Sequence, residues 1–189
     1  MRPLTPAILH SFIAQCEWTY EAWATHRALF DDNSSRCSEE PTRADNALGR
    51  ISRMTQEYVL LQISKLHDPA TQGSNENLTI AYLVKFGDWD SSFLARLQEC
   101  QARLEVLANQ LRGARNKLLS HSDISAALAG ESLGAFKADE DIGYFTELQT
   151  FANLLQENVS LSPLDFNPSA LGDAQALAAQ LNMARARDA

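Results

Sequence analysis

Apolar residues recur every three or four positions through most of this chain, and the breaks in that rhythm divide it into helices. From Pro6 to about Phe30, Ile8, Phe12, Cys16, Tyr20, Trp23 and Phe30 predict one amphipathic helix, with Thr5 as N-cap and Pro6 as first helical residue. Asp31-Asp32-Asn33-Ser34-Ser35 breaks it. A second helix is predicted from about Thr42 to Leu66, with Leu48, Ile51, Met54 or Thr55, Tyr58 or Val59, and Ile63 facing inward. His67-Asp68-Pro69 ends it, because proline disfavours helical backbone in the residue before it. Gln72-Gly73-Ser74-Asn75 reads as loop, and Leu78 to Phe86 as a short helix closed by Gly87-Asp88.

The next pattern is the longest in the middle of the chain. Phe93, Leu97, Cys100, Leu104, Leu107, Leu111, Ala114 and Leu118 hold the rhythm for about seven turns of rigid helix. Ser122 to Phe136 reads as an irregular excursion. Asp139 or Asp141 then starts a helix with Ile142, Phe145, Leu148, Ala152, Leu155 and Val159 inward. Ser160 to Ser169 is a linker carrying Pro163 and Pro168, and the Ala-rich stretch from Leu171 to Arg187 forms a last amphipathic helix. No alternating strand pattern of any length and no internal repeat occurs. The expected fold is therefore all-α, an antiparallel bundle of about five to six helices in which short loops pair sequence neighbours. Residues 1–160 are expected to form that bundle, and residues 161–189 the linker and C-terminal helix.

Composition narrows the function classes. With 45% hydrophobic and 21% charged residues the chain has enough apolar side chains for a core, which excludes wholesale disorder. No run reaches the length of a membrane span, and the first residues lack a basic-then-apolar leader, so a cytoplasmic protein without a membrane partner is expected. Cys16, Cys37 and Cys100 are odd in number and widely spaced, which suits buried thiols better than a disulfide or metal site. His10, His26 and His67 never fall at metal-ligand spacing with one another. The net charge of −8 means that any contact with RNA must come from a local positive patch and weaken steeply with salt.

Chemistry concentrates in Arg115-Asn116-Lys117-Leu118-Leu119-Ser120-His121-Ser122-Asp123, the only place where arginine, amide, lysine, histidine and carboxylate crowd together. Arginine presents a fixed fork of donors matched to phosphate oxygens. Histidine titrates near neutrality, so it can take a proton from a ribose 2′-OH or give one to a leaving oxygen. Asn116 suits orientation of a substrate group, and Asp123 suits fixing the imidazole tautomer. Such a transesterification needs no metal or other cofactor. On a straight helix Arg115 and His121 stand about 120° apart, so one ligand meets both only if the helix bends or ends between them, or if two chains contribute. Acid–base cleavage of RNA also wants two proton-transfer groups, and a two-fold homodimer supplies both. A plainer reading of the same residues is a helix terminus: Arg115 and Lys117 as cations complementing the helix dipole, His121 as an end-cap, Asp123 as the next start signal.

The run resembles the signature of the HEPN superfamily (higher eukaryotes and prokaryotes nucleotide-binding): all-helical domains marked by an arginine, an intervening segment of four to six residues, then a histidine. In its fuller form it is similar to the AbiU-like branch, associated with bacterial abortive infection. Leu66-His67-Asp68-Pro69 with Asn77-Leu78-Thr79, and Leu133-Gly134-Ala135-Phe136 with the helix holding Tyr144-Phe145, look similar to that branch too. The resemblance implies a metal-independent ribonuclease acting on RNA in a toxin or phage-defence setting, with its active site formed across a homodimer. Arg115 and His121 would be its catalytic pair, supported by Asn116, Lys117 and Asp123. A cognate antitoxin or other protein partner fits the same setting. Many members of the superfamily are non-catalytic modules that bind RNA, a nucleotide or a protein, which is the alternative for this chain.

The remaining candidates have simpler explanations. Trp18, Trp23 and Trp89 suit base stacking, but aromatics at helical spacing usually fill cores. Arg50, Arg53, Arg103 and Arg112 would extend a positive track or merely solvate helix faces. Asp68 before Pro69 reads as turn chemistry.

Overall fold

The computed structural model describes residues 4–33, 43–114, 140–166 and 168–188. Six α-helices account for most of them: α1 (Pro6–His26), α2 (Arg43–Leu66), α3 (Ile80–Phe86), α4 (Ser91–Ala114), α5 (Glu140–Asn158) and α6 (Pro168–Asp188). The fold class is all-α. A turn of π-helix, Arg27–Asp31, continues α1, and two short strands, β1 (Thr71–Gln72) and β2 (Asn75–Glu76), form an antiparallel hairpin. The hairpin replaces the expected loop. Its turn needs Gly73 at φ +61, a left-handed conformation that glycine adopts without steric cost. No helix of the described residues is long and apolar enough to cross a membrane.

Local chemistry sets the helix boundaries. Thr5 accepts a hydrogen bond from Ile8 N at 3.3 Å, Asp90 accepts from Ser92 N and Phe93 N at 2.9 Å each, and Thr79 accepts from Tyr82 N at 3.2 Å. Each satisfies donors that the first helical turn leaves unpaired. At the far end of α3, the Trp89 indole donates to Leu83 O at 2.8 Å across Gly87, where a Cβ would collide with the ring.

The chain divides into two compact units. The first comprises Met1–Cys16 and Leu60–Leu164, the second Glu17–Val59 and Asp165–Ala189. In the first, α4 and α5 pack antiparallel, as the ion pairs Arg96–Glu157 (2.9 Å) and Arg103–Glu147 (2.8 Å) require. Phe93, Leu97, Cys100, Leu104, Ala108 and Leu111 are buried along α4, and Phe12 of α1 meets Phe151 of α5 edge-on at 5.9 Å. Such an aromatic pair adds about 0.5–1.5 kcal/mol beyond the area it buries. In the second unit α6 packs on the π-turn, with Ala174 and Ala178 buried and Asn182 donating to Asn33 at 2.9 Å. Phe166, inside the expected linker, is buried and stacks on Tyr20 at 5.0 Å.

On two helices the buried series matches the expected one in part: Val59 and Ile63 on α2, and Phe145, Leu148, Ala152 and Leu155 on α5, are buried as expected. On α2, Val59, Leu60, Ile63 and Leu66 are buried, whereas Ile51 is 40% and Met54 60% exposed. Ile142 near the start of α5 and Val159 just past its end are exposed, and Tyr144, Phe151 and Leu154 are buried in addition to the expected positions. Apolar residues cover more than one face of each helix, so periodicity alone leaves the buried arc open.

Candidate functional site

Arg115, Asn116, Lys117, His121 and Asp123 lie outside the described residues, as does the excursion from Ser122 to Phe136. What the structure describes is the platform on either side of them. The last described residue of α4 is Ala114, and Arg115 follows it in the sequence. Antiparallel packing sets the start of α5 beside the end of α4, and the ion-pair register places Tyr144 level with the stretch around Val106. At 1.5 Å of rise per residue that is about 12 Å before the end of α4.

Tyr144 is fully buried, and its hydroxyl lies 3.0 Å from His67 Nε2, with the two ring centroids 5.8 Å apart. Burial, and after it the nearby Cys16, push the phenol well above its ordinary pKa of 10.0, so it stays a neutral hydroxyl. Its role follows the imidazole tautomer: it donates to a bare Nε2 and accepts from a protonated one. Phe145 packs edge-on against Tyr144 at 5.2 Å.

The corner that carries His67 is built from its own sequence. After Leu66 the helix tightens, with His67 N donating to Ser64 O at 3.1 Å and Asp68 N to Lys65 O at 3.3 Å. Asn77 then staples the corner to the hairpin, its side chain donating to Pro69 O at 2.8 Å and its backbone N to Ala70 O at 2.9 Å. Two residues on, Thr79 caps α3. The fold thus joins Leu66-His67-Asp68-Pro69, Asn77-Leu78-Thr79 and Tyr144-Phe145 in one unit. The His67–Tyr144 contact spans 77 residues and leaves no trace in local spacing; only the resemblance pointed to both stretches.

Of the arginines weighed as a positive track, Arg53 and Arg103 are engaged with carboxylates, whereas Arg50 is exposed. Arg53 pairs with Glu57 at 2.9 Å, and Arg103 pairs with Glu99 and Glu147 at 2.8 Å each. Among the described residues, no group of three His, Cys, Asp or Glu side chains is placed to hold a metal ion. Cys16 and Cys100 are buried thiols. Burial, together with the hydrogen bond and charge at Glu147, raises the Cys100 thiol far above its ordinary value, which keeps it unreactive.

The described residues form a capped all-helical scaffold, and the arginine–histidine run follows α4 in the sequence. The HEPN AbiU2 family model matches residues 4–177, and the chain belongs to that family. Neither the curated proteins nor the solved structures contain a match to it.

Proposed function

We propose that the chain is a metal-independent endoribonuclease whose active site forms between two copies. The observation that carries this reading is the Arg115–Asp123 run, standing directly after α4 in a chain of the AbiU2 family. His121 of one copy removes the ribose 2′-OH proton, the 2′-oxygen bonds to phosphorus, and the P–O5′ bond breaks. His121 of the second copy protonates the departing 5′-oxygen, leaving a 2′,3′-cyclic phosphate and a 5′-hydroxyl. Arg115 neutralises the charge that builds on the phosphoryl oxygens, with Lys117 adding to the local positive field. Asn116 orients the substrate, and Asp123 fixes the imidazole tautomer. A cytoplasmic toxin or phage-defence effector, restrained by an antitoxin or other protein, is the setting the family suggests.

The test is cleavage of a mixed RNA pool in chelator at low salt, by wild-type and His121→Ala protein side by side. The expected result is cutting that leaves cyclic-phosphate ends and falls by at least about a hundredfold in the variant, the usual contribution of a positioned acid or base. Equal cutting by both proteins overturns the reading. No cutting by either, with the wild type folded and dimeric, favours a non-catalytic module that binds RNA, a nucleotide or a protein through the same face. The net charge of −8 supports that second reading.

A further inference from the structure

The second unit carries a groove of about 470 Å³ between α1, α2 and α6. Trp18 forms one wall, 53% exposed yet held in place: its indole N–H donates to the Tyr58 hydroxyl at 2.6 Å. Leu177 of α6, also exposed, lines the groove as well, together with the small side chains of Ala22 and Ala174. Glu21 lies one turn after Trp18 on the same face of α1, and Asp173 one turn before Leu177 on α6. Neither carboxylate forms an ion pair with a described residue, and no lysine or arginine is among the described residues lining the groove.

An apolar strip bordered by two unneutralised carboxylates is complementary to a helix with an aliphatic face and cationic flanks. Trp and Tyr are the side chains that most often anchor interfaces, and an indole already fixed by a hydrogen bond loses little freedom when covered. We propose that this groove docks a basic amphipathic helix of a partner protein. Aliphatic residues of that helix pack between Trp18 and Leu177, and its lysines or arginines meet Glu21 and Asp173. A second copy of this chain is a poor occupant. Two-fold contact would bring these carboxylates against their own images between two chains of charge −8. The proposal is independent of the ribonuclease reading, because no residue of the groove belongs to the Arg115–Asp123 run.

The experiment uses the full chain and a fluorescein-labelled synthetic helix with leucines at i, i+3, i+4 and i+7 and arginines beside them, followed by anisotropy. A glutamate version of the peptide serves as control. The arginine peptide is expected to bind and the glutamate peptide not to. Glu21→Lys and Asp173→Lys each weaken binding by about tenfold, whereas Asp88→Lys, the same charge change at another exposed site, stays within about twofold. Trp18→Ala weakens the binding that survives at high salt, with a thermal melt showing that the variant folds. Equal losses from Asp88→Lys and Glu21→Lys would reduce the effect to bulk charge and overturn the proposal. So would the absence of binding by the arginine peptide, or self-association that Trp18→Ala abolishes while peptide binding is unchanged.

Discussion

Glu147 is held by two neighbours on α4. Arg103 reaches its carboxylate at 2.8 Å, and the Cys100 thiol donates to its carbonyl at 3.6 Å. Burial pushes the carboxyl up, but the Arg103 hydrogen bond, the Cys100 contact and the Arg103 charge together outweigh it and hold the group below its ordinary 4.5. A depressed carboxyl contributes stability that is fully present above the unfolded value and is lost as pH falls through the folded one. Arg103→Met is therefore expected to lower the melting temperature at pH 7, and the gap to wild type should close in acid well below the ordinary carboxylate value. Paired thermal melts at neutral and acid pH decide it. A gap of the same size at both would mean that Arg103 acts through its aliphatic stem rather than its charge.

At the scale of elements, the start at Thr5 and the stop before Pro69 were legible because they depend on neighbouring residues, whereas the caps at Thr79 and Asp90 emerged only in the structure. Buried faces were less legible. Ile51 and Met54 keep the helical rhythm yet face outward, while Tyr144 and Phe151 fall off the expected series and are buried. The choice between arcs is made by partners distant in sequence. The hairpin escaped notice because two-residue strands have no room for alternation, and Phe166 because one buried side chain in a proline-flanked linker has no period at all. The arginine–histidine run was visible because residue type and spacing define it, whereas the His67–Tyr144 contact is a product of folding. Capping also yields a prediction here. Thr79, buried between the hairpin and α3, satisfies Tyr82 N, so Thr79→Ala should cost about 1 kcal/mol and lower the melting temperature by about 2–4 °C. Thr79→Ser should restore most of it, since the hydroxyl remains. If serine melts no higher than alanine, the methyl group's packing rather than the cap is what Thr79 supplies.

For the whole molecule, the net charge and the proposed pairing of sites bear on one another. At −8 the chain as a whole repels a polyanion, so RNA contact through the proposed Arg115 and Lys117 should weaken with salt yet need local geometry to occur at all. In the proposed dimer two copies would double that local charge and supply the second histidine. If each cut needs His121 from both copies, a dimer of one wild-type and one His121→Ala chain is inactive. Mixing equal amounts and allowing subunits to exchange should then leave wild-type pairs as about a quarter of the dimers, against about half before exchange. RNA cleavage, measured at constant total protein, is expected to fall to about half of its pre-exchange value. Were each copy to act with its own histidine, exchange would leave the rate unchanged, and the active site would have to be sought within one chain.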